Sequence, residues 1–238
     1  MNFKEIPIVI ICHNRLYCMM EQIEGFLERG YFNLHIADCG SSYPPLMEYL
    51  SKNNGKLFTV HRFDNPEAGP YVYQRTYLGN LFTQNYNILT DNDVILTKEC
   101  PDNFAEHLYS IIQEFNLLKA GVGLKIDDLP DHYPLKSDVI RHESDFWRRP
   151  MKPGVFQGAI DTTLALNRPG FHGGYTESSA RTDAPYMARH FGWYMDYNNL
   201  PDDEKYYHKL NPPASSWLKE WHKKKSQHPE INYDATIQ

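Results

Sequence analysis

The chain opens on an apolar run, Ile6-Pro7-Ile8-Val9-Ile10-Ile11-Cys12. A run so short and so rich in β-branched residues predicts a strand buried on both faces. It stops at His13-Asn14-Arg15. Apolar residues then recur at Met20, Ile23 and Leu27 across residues 17–29, a helical spacing that Gly30 ends. Residues 33–37 predict a second strand, which runs into the turn-rich Asp38-Cys39-Gly40-Ser41-Ser42. A helix over 45–52 follows and breaks at Asn53-Asn54-Gly55. Residues 57–63 predict a third strand, 73–84 a helix weakened by Gly79, and 86–90 a fourth strand. Asp91-Asn92-Asp93 sits at the end of that strand, before Val94-Ile95-Leu96.

Asn103, with Glu106 three residues on, has the pattern of a capping box. It opens a helix with the stripe Phe104, Leu108, Ile111 or Ile112, and Phe115. Beyond it the regularity falls away. Residues 121–126 predict a strand, 127–153 are polar and proline-broken, 155–166 are again strand-like, and 170–179 form a Gly- and Ser-rich loop. Thr182-Asp183-Ala184-Pro185 predicts a helix start with Pro in the first turn, running to about residue 191. Strand and helix thus alternate through the first half, which predicts an α/β fold with a mostly parallel central sheet flanked by helices. Ligands of such sheets bind beyond the carboxyl ends of the strands. His13-Asn14-Arg15, Asp38 and Asp91-Asn92-Asp93 all fall at such ends, so one crevice is expected to collect them.

The 238 residues suffice for one sizeable α/β domain or two small ones. With 17 Tyr, 12 Phe and 4 Trp, the chain holds more aromatics than a core requires, which suits surfaces that stack on sugars or bases. A formal charge of −6 argues against broad binding to nucleic acid. Cys12, Cys18, Cys39 and Cys100 show no CxxC or zinc spacing and are expected as free thiols in a cytoplasmic protein. The first residues lack the pattern of a signal peptide. No apolar run approaches the roughly 20 residues of a membrane span, so a soluble chain is expected.

The chemistry centres on Asp91 and Asp93. Two carboxylates at i, i+2 on a strand end can face one hard cation, Mg²⁺ or Mn²⁺. A turn whose Asp and Asn satisfy local backbone groups is the competing account. The flanks decide between them: with Ile88-Leu89-Thr90 before and Val94-Ile95-Leu96 after, two carboxylates are costly without a counter-cation.

Four features in order (residues 7–15; Ile36-Ala37-Asp38-Cys39-Gly40-Ser41-Ser42; Thr90-Asp91-Asn92-Asp93; and a later acceptor-side segment) resemble the GT-A glycosyltransferases, closest to the family-2-like enzymes of bacteria and large viruses, over roughly residues 6–195. The resemblance implies metal-dependent transfer of a sugar from a nucleotide-diphosphate sugar to a hydroxyl of a glycan or glycolipid, with Mn²⁺ or Mg²⁺ as cofactor and a lean toward inversion. It implies a single GT-A domain: residues 1–100 holding the nucleotide sugar, 101–200 the acceptor, and 201–238 a helical tail. On the same match Asp38 bonds the nucleobase. His13, Asn14, Arg15, Asp91 and Asn92 line the nucleotide-sugar pocket, and Asp91 and Asp93 hold the metal. His190 is the third metal ligand, with His172 as its substitute.

An inverting transferase needs a carboxylate to deprotonate the acceptor. Asp161, an acid inside an apolar, strand-like run, is the preferred base, because desolvation makes a carboxylate more basic. Asp183 stands where the family often carries an acidic xED motif, though Thr182 replaces the usual Glu, and an Asp there also caps a helix. Phe146-Trp147-Arg148-Arg149 and Trp193-Tyr194 offer flat rings and guanidiniums to an acceptor. The tail Trp217-Leu218-Lys219-Glu220-Trp221-His222-Lys223-Lys224-Lys225 pairs aromatics with a basic run suited to peripheral contact with an anionic membrane surface, or to a solvated helix end. The alternatives are a sugar nucleotidyltransferase, whose phosphate loop after the first strand normally carries glycine where Cys12-His13-Asn14-Arg15-Leu16 has none, and a non-catalytic carbohydrate-binding protein on the same scaffold. The 11 His include no HxH or HExxH, which disfavours a metal hydrolase.

Overall fold

The computed structural model describes residues 1–210 and Lys223. The opening run forms strand β1 (Ile8–Cys12), and its two faces feed two different cores. Ile8, Ile10 and Cys12 pack with Met19, Ile23 and Phe26 of helix α1 (Tyr17–Glu28), Leu46 and Leu50 of α2 (Pro44–Asn53), and Phe104, Leu108 and Ile112 of α5 (Phe104–Phe115). Val9 and Ile11 face the other way, onto Val72 and Tyr73 of α3 (Val72–Arg75) and Leu78 and Phe82 of α4 (Leu78–Phe82). Alternation of side chains across a strand covered on both faces explains why the sequence shows an unbroken apolar run there.

β2 (Leu34–Cys39), β3 (Thr59–Phe63) and β4 (Asn87–Asp91) join β1 in a parallel core ordered β3-β2-β1-β4. The sheet then continues through β10 (Ala165–Asn167), β6 (Lys119–Gly121), β11 (Ser179–Thr182), β9 (Val155–Gln157) and β8 (Pro150–Lys152). β10 runs antiparallel to both its neighbours, so the α/β expectation holds with a sheet that is mixed beyond its parallel core. A second sheet orders β5 (Val94–Leu96), β12 (Met187–His190) and β7 (Gly123–Leu124). The chain crosses from one sheet to the other through Asn92 and Asp93. Helices α6 (Lys136–Ser144) and α7 (Asp202–Lys209) complete the described elements.

Several expectations need correction. The inward stripe of α1 is Met19, Gln22, Ile23 and Phe26, and Met20 is exposed. The helix expected over 73–84 is two short helices, broken where Thr76 is extended and its hydroxyl takes the Val72 carbonyl at 2.6 Å. Gly79 is there for space: a Cβ would stand 2.0 Å from the Tyr73 carbonyl oxygen. Asn103 makes no side-chain cap, its Oδ1 accepting instead from the Tyr186 hydroxyl at 3.2 Å. Residues 155–166 are two strands with an irregular link, and the helix expected from 182 is strand β12. The basic part of the tail, Lys223 apart, lies outside the described residues, so the membrane-contact expectation does too. All four cysteines are free and buried. No described helix is long and apolar enough to cross a membrane.

On the β2–β3 edge, His35 Nδ1 lies 3.1 Å from His61 Nε2, whose Nδ1 lies 2.7 Å from the Tyr77 hydroxyl. Burial, reinforced by His61, lowers the His35 pKa to about 4. A depressed histidine favours the fold above its unfolded value near 6.5, and that contribution is lost as pH falls through 4. Because the ring is partly open to solvent, we expect about 1 kcal/mol to be lost across this window. Melting curves between pH 7.5 and 4 test this: His35→Phe should show a shallower acid slope than the wild type, and equal slopes would exclude the histidine pair as the cause.

Candidate active site

The Asp91-Asn92-Asp93 turn is held by backbone bonds from three directions. Asp91 N donates to Thr162 O (2.9 Å), Asn92 N to Ile11 O (3.1 Å), and Phe191 N to Asp93 O (2.7 Å). From below, Gln22 Nε2 donates to the carbonyls of Asp91 (2.8 Å) and Val94 (2.6 Å). A buried amide bonded to two carbonyls fixes a turn directionally, and the Thr90 hydroxyl adds a second bond to the Asp91 carbonyl at 2.9 Å. The signal for Gln22 was present in the sequence as a polar residue within the inward stripe of α1.

Above this turn lies a cavity of about 660 Å³, lined among others by His13, Arg15, Asp91, Asn92, Asp93, Asp161 and His190. These seven expected site residues, from five elements or loops, therefore meet. Asn14, Asp38, His172 and Asp183 do not line it. Asn14, with φ +59°, is fully buried, and its Oδ1 accepts from Ser42 N (2.7 Å) and Tyr43 N (2.8 Å) ahead of α2. Asp38 is buried in an Asx-turn with Ser41 N (3.0 Å) and pairs with Arg62 Nη1 (2.8 Å). Asp183 follows β11 and accepts from Ala184 N at 2.7 Å. His172 is exposed.

Strand β12 delivers His190, because the antiparallel register sets it opposite Val94, next to Asp93. Its Nε2 lies 3.7 Å from Asp93 Oδ2, its ring stacks on Trp193 at 4.7 Å, and its buried Nδ1 has no hydrogen-bond partner. A helix could not have placed it there. Asp93 also receives Arg15 Nη1, and Arg15 in turn grips Glu204 of α7, with Nε 2.8 Å from Oε1. The Tyr207 ring lies under the guanidinium at 4.0 Å. The counter-cation demanded by the apolar flanks is thus supplied, for Asp93, by the chain itself.

The two carboxylates of the turn are driven apart. Burial, helped by the charges of Asp93 and Asp161, pushes Asp91 well above the ordinary carboxylate range, although the Thr162 hydroxyl donates to it at 2.7 Å. Burial also works against ionised Asp93, but His190 and Arg15 outweigh it and hold that group below the usual range. Burial raises Glu204 to about 7, against the pull of Arg15.

Asp161 stands on the cavity wall beside Asp91, in a bend, and is exposed, not enclosed in an apolar strand as expected. Its loop is pinned by Lys119, which is fully buried and donates to the carbonyls of Asp161, Ile160 (3.4 Å) and Gly174 (3.4 Å). Burial pulls Lys119 down to about 8, while Asp161 and Asp91 favour its charge. Its charge inside the run Leu117-Leu118-Lys119-Ala120-Gly121 was a sequence signal. The far wall carries a second buried pair, Arg181 Nη1 to Glu143 Oε2 at 2.9 Å, with the guanidinium 3.8 Å over the Phe146 ring. Of the expected acceptor-side groups, Phe146 and Trp193 line the cavity. Arg148 pairs with Asp145, and the Tyr194 hydroxyl goes to Asp128 at 2.6 Å.

Four acidic side chains (Asp91, Asp93, Glu143 and Asp161) and two guanidiniums line the cavity, so acids outnumber guanidiniums there. Carboxylate oxygens and an imidazole with uncommitted nitrogens fit a divalent cation in donor chemistry. Among the described residues no three His, Cys, Asp or Glu side chains are gathered as a metal-holding group, and Arg15 occupies one side of Asp93.

No family model matches the sequence, and no curated protein matches it. Among solved structures, the chain is similar to residues 1-349 of S. aureus TarS at 10% identity and a TM-score of 0.37, over 51% of this chain and 36% of that one. It is also similar to a Bacillus anthracis protein assigned as a glucose-1-phosphate thymidylyltransferase, in complex with sucrose, at 9% identity and a TM-score of 0.38, over 69% and 72%. The chain thus spans about a third of the first structure's length (36%). At this level of likeness, the chemistry has to be read from the chain's own residues.

Proposed function

We propose that the chain is a glycosyltransferase that moves a sugar from a nucleotide-diphosphate donor to a hydroxyl of a glycan or glycolipid. The observation that carries this reading is the meeting of Arg15, Asp91, Asp93, Asp161 and His190 in one cavity at the carboxyl ends of β1 and β4. A diphosphate entering a cavity in which acidic side chains outnumber guanidiniums needs added positive charge. Asp91, Asp93 and His190 would hold Mn²⁺ or Mg²⁺, which when bound neutralises charge on the departing diphosphate. His13 and Asn92 shape the donor end, and Gln22 keeps the acidic turn from shifting. Asp161 accepts the proton of the acceptor hydroxyl, on a loop that Lys119 holds in place. Phe146 and Trp193 offer ring faces to the acceptor sugar.

A sugar nucleotidyltransferase would cradle phosphate on the amides that start the first helix. In this chain the Leu16 and Tyr17 amides both donate to Asp203 Oδ2, at 2.7 and 2.9 Å, so that position already holds an anion. This favours the transferase reading over that alternative.

Thermal shifts with UDP, GDP and dTDP, each with and without Mn²⁺, test the proposal. One nucleotide is expected to stabilise the protein only with metal, by about 2.7 kcal/mol at a hundredfold excess over its Kd. Asp93→Ala should abolish the metal-dependent part. Absence of any metal-dependent shift would sink the proposal, and donor hydrolysis measured afterwards separates an enzyme from a binding protein.

A further inference from the structure

Helix α7 is far from the acidic turn in sequence, yet three of its residues act on one spot. Asp203 caps the start of α1, at Leu16 and Tyr17. Glu204 Oε2 accepts from Arg15 Nη2 at 3.2 Å, its Oε1 stands 2.8 Å from Nε as an ion-pair contact, and Tyr207 lies beneath the guanidinium. Asp203 and Glu204 are each 1% exposed, so α7 is built into the site and not merely resting on it. A guanidinium carries five donors in a rigid fork and closes readily on one carboxylate in bidentate fashion. With Glu204 set against the Nε and Nη2 edge of the guanidinium and accepting from Nη2, Arg15 reaches Asp93 through Nη1 alone.

We propose that Glu204 is a positioning residue that keeps Asp93 available to a divalent cation, an inference that rests on the metal-dependent reading above. Arg15 alone with Asp93 makes a neutral pair that competes with a metal for the same oxygens. Shared between Asp93 and Glu204, Arg15 is drawn partly away from Asp93, so an incoming cation meets a carboxylate that is only partly neutralised. Glu204 also restrains Arg15 from closing its fork on Asp93. Helix α7 is therefore part of the donor side of the site, and its Glu204 acts on Asp93 through Arg15.

Titrating the full chain with Mn²⁺ alone, and following free Mn²⁺ by its electron paramagnetic resonance signal, tests this without any turnover. Four proteins are compared: wild type, Asp93→Asn, Glu204→Gln, and the double variant Arg15→Met/Glu204→Gln. We expect binding by the wild type, its loss in Asp93→Asn, and a roughly 10- to 100-fold weaker affinity in Glu204→Gln, the range seen when groups that orient metal ligands are removed. The double variant removes the competitor as well and should return to within a few-fold of the wild type, a rescue that a purely structural role for Glu204 does not predict. If Glu204→Gln binds Mn²⁺ as the wild type does while Asp93→Asn does not, the inference falls and the metal reading stands. If the wild type binds no better than Asp93→Asn, both fall. A folded double variant that stays weak also overturns the inference, which keeps the test decisive even where Glu204→Gln itself fails to fold.

Discussion

Arg15→Ala is expected to cost about 3–5 kcal/mol of stability, the range for removing one partner of a buried ion pair. The guanidinium is 13% exposed, while the side chains it leaves behind, Asp93 and Glu204, are 5% and 1% exposed. Truncation strands both carboxylates away from water, and the Tyr207 face loses its cation as well. Each stranded group then regains neutrality by taking up a proton, so the loss should shrink as pH is lowered. Equilibrium urea unfolding at pH 7.5 and pH 5.5 measures it. A loss below about 1 kcal/mol at pH 7.5 would place these carboxylates among solvated surface pairs and remove the basis for treating the cluster as buried.

The second large effect concerns catalysis. Asp161→Asn is expected to lower turnover by about 10²- to 10⁴-fold, the usual contribution of a positioned general base, with donor affinity changed little. Its side chain is exposed on the cavity wall, its amide neighbour Thr163 donates to Oδ1 at 3.1 Å, and Thr162 next to it bonds Asp91. Exposure toward the cavity leaves this carboxylate open to an incoming hydroxyl. Asp183→Asn is the comparison, since that residue follows β11 and does not line the cavity. Donor binding by calorimetry and turnover by product formation separate the two roles. Full turnover in Asp161→Asn with a collapse in Asp183→Asn would reverse the assignment.

Much of the first half was legible because its signals are local. The β1 run, the strand ends expected after residues 12, 37 and 90 and found after 12, 39 and 91, and the stop at Gly30 depend on burial and backbone preference within a few residues of each other. The failures came where local and distant demands conflict. Residues 182–191 carry helix-start chemistry, yet the backbone is taken by pairing with β5 and β7, whose partners lie some 60 to 95 residues earlier. Asp161 was read as enclosed because its neighbours are apolar, but the link between β9 and β10 turns there and leaves its carboxylate outside. For Asp38, matched to a nucleobase-binding position, the fold adds partners that the sequence does not reveal, Arg62 and the Ser41 amide.

The acidic triplet shows where sequence ends and tertiary structure begins. Flanking apolar residues alone determined that Asp91 and Asp93 sit at a buried strand end and that their charge needs an answer, because desolvation of a carboxylate is a property of its immediate surroundings. They could not determine what answers it. That was decided by α7, which closes over α1 and sets Glu204 and Tyr207 around Arg15, and by β12, which sets His190 beside Asp93. Charge pairing in a low-dielectric interior is governed by distance in space and not along the chain, so the partners of a buried carboxylate appear only once the chain has folded.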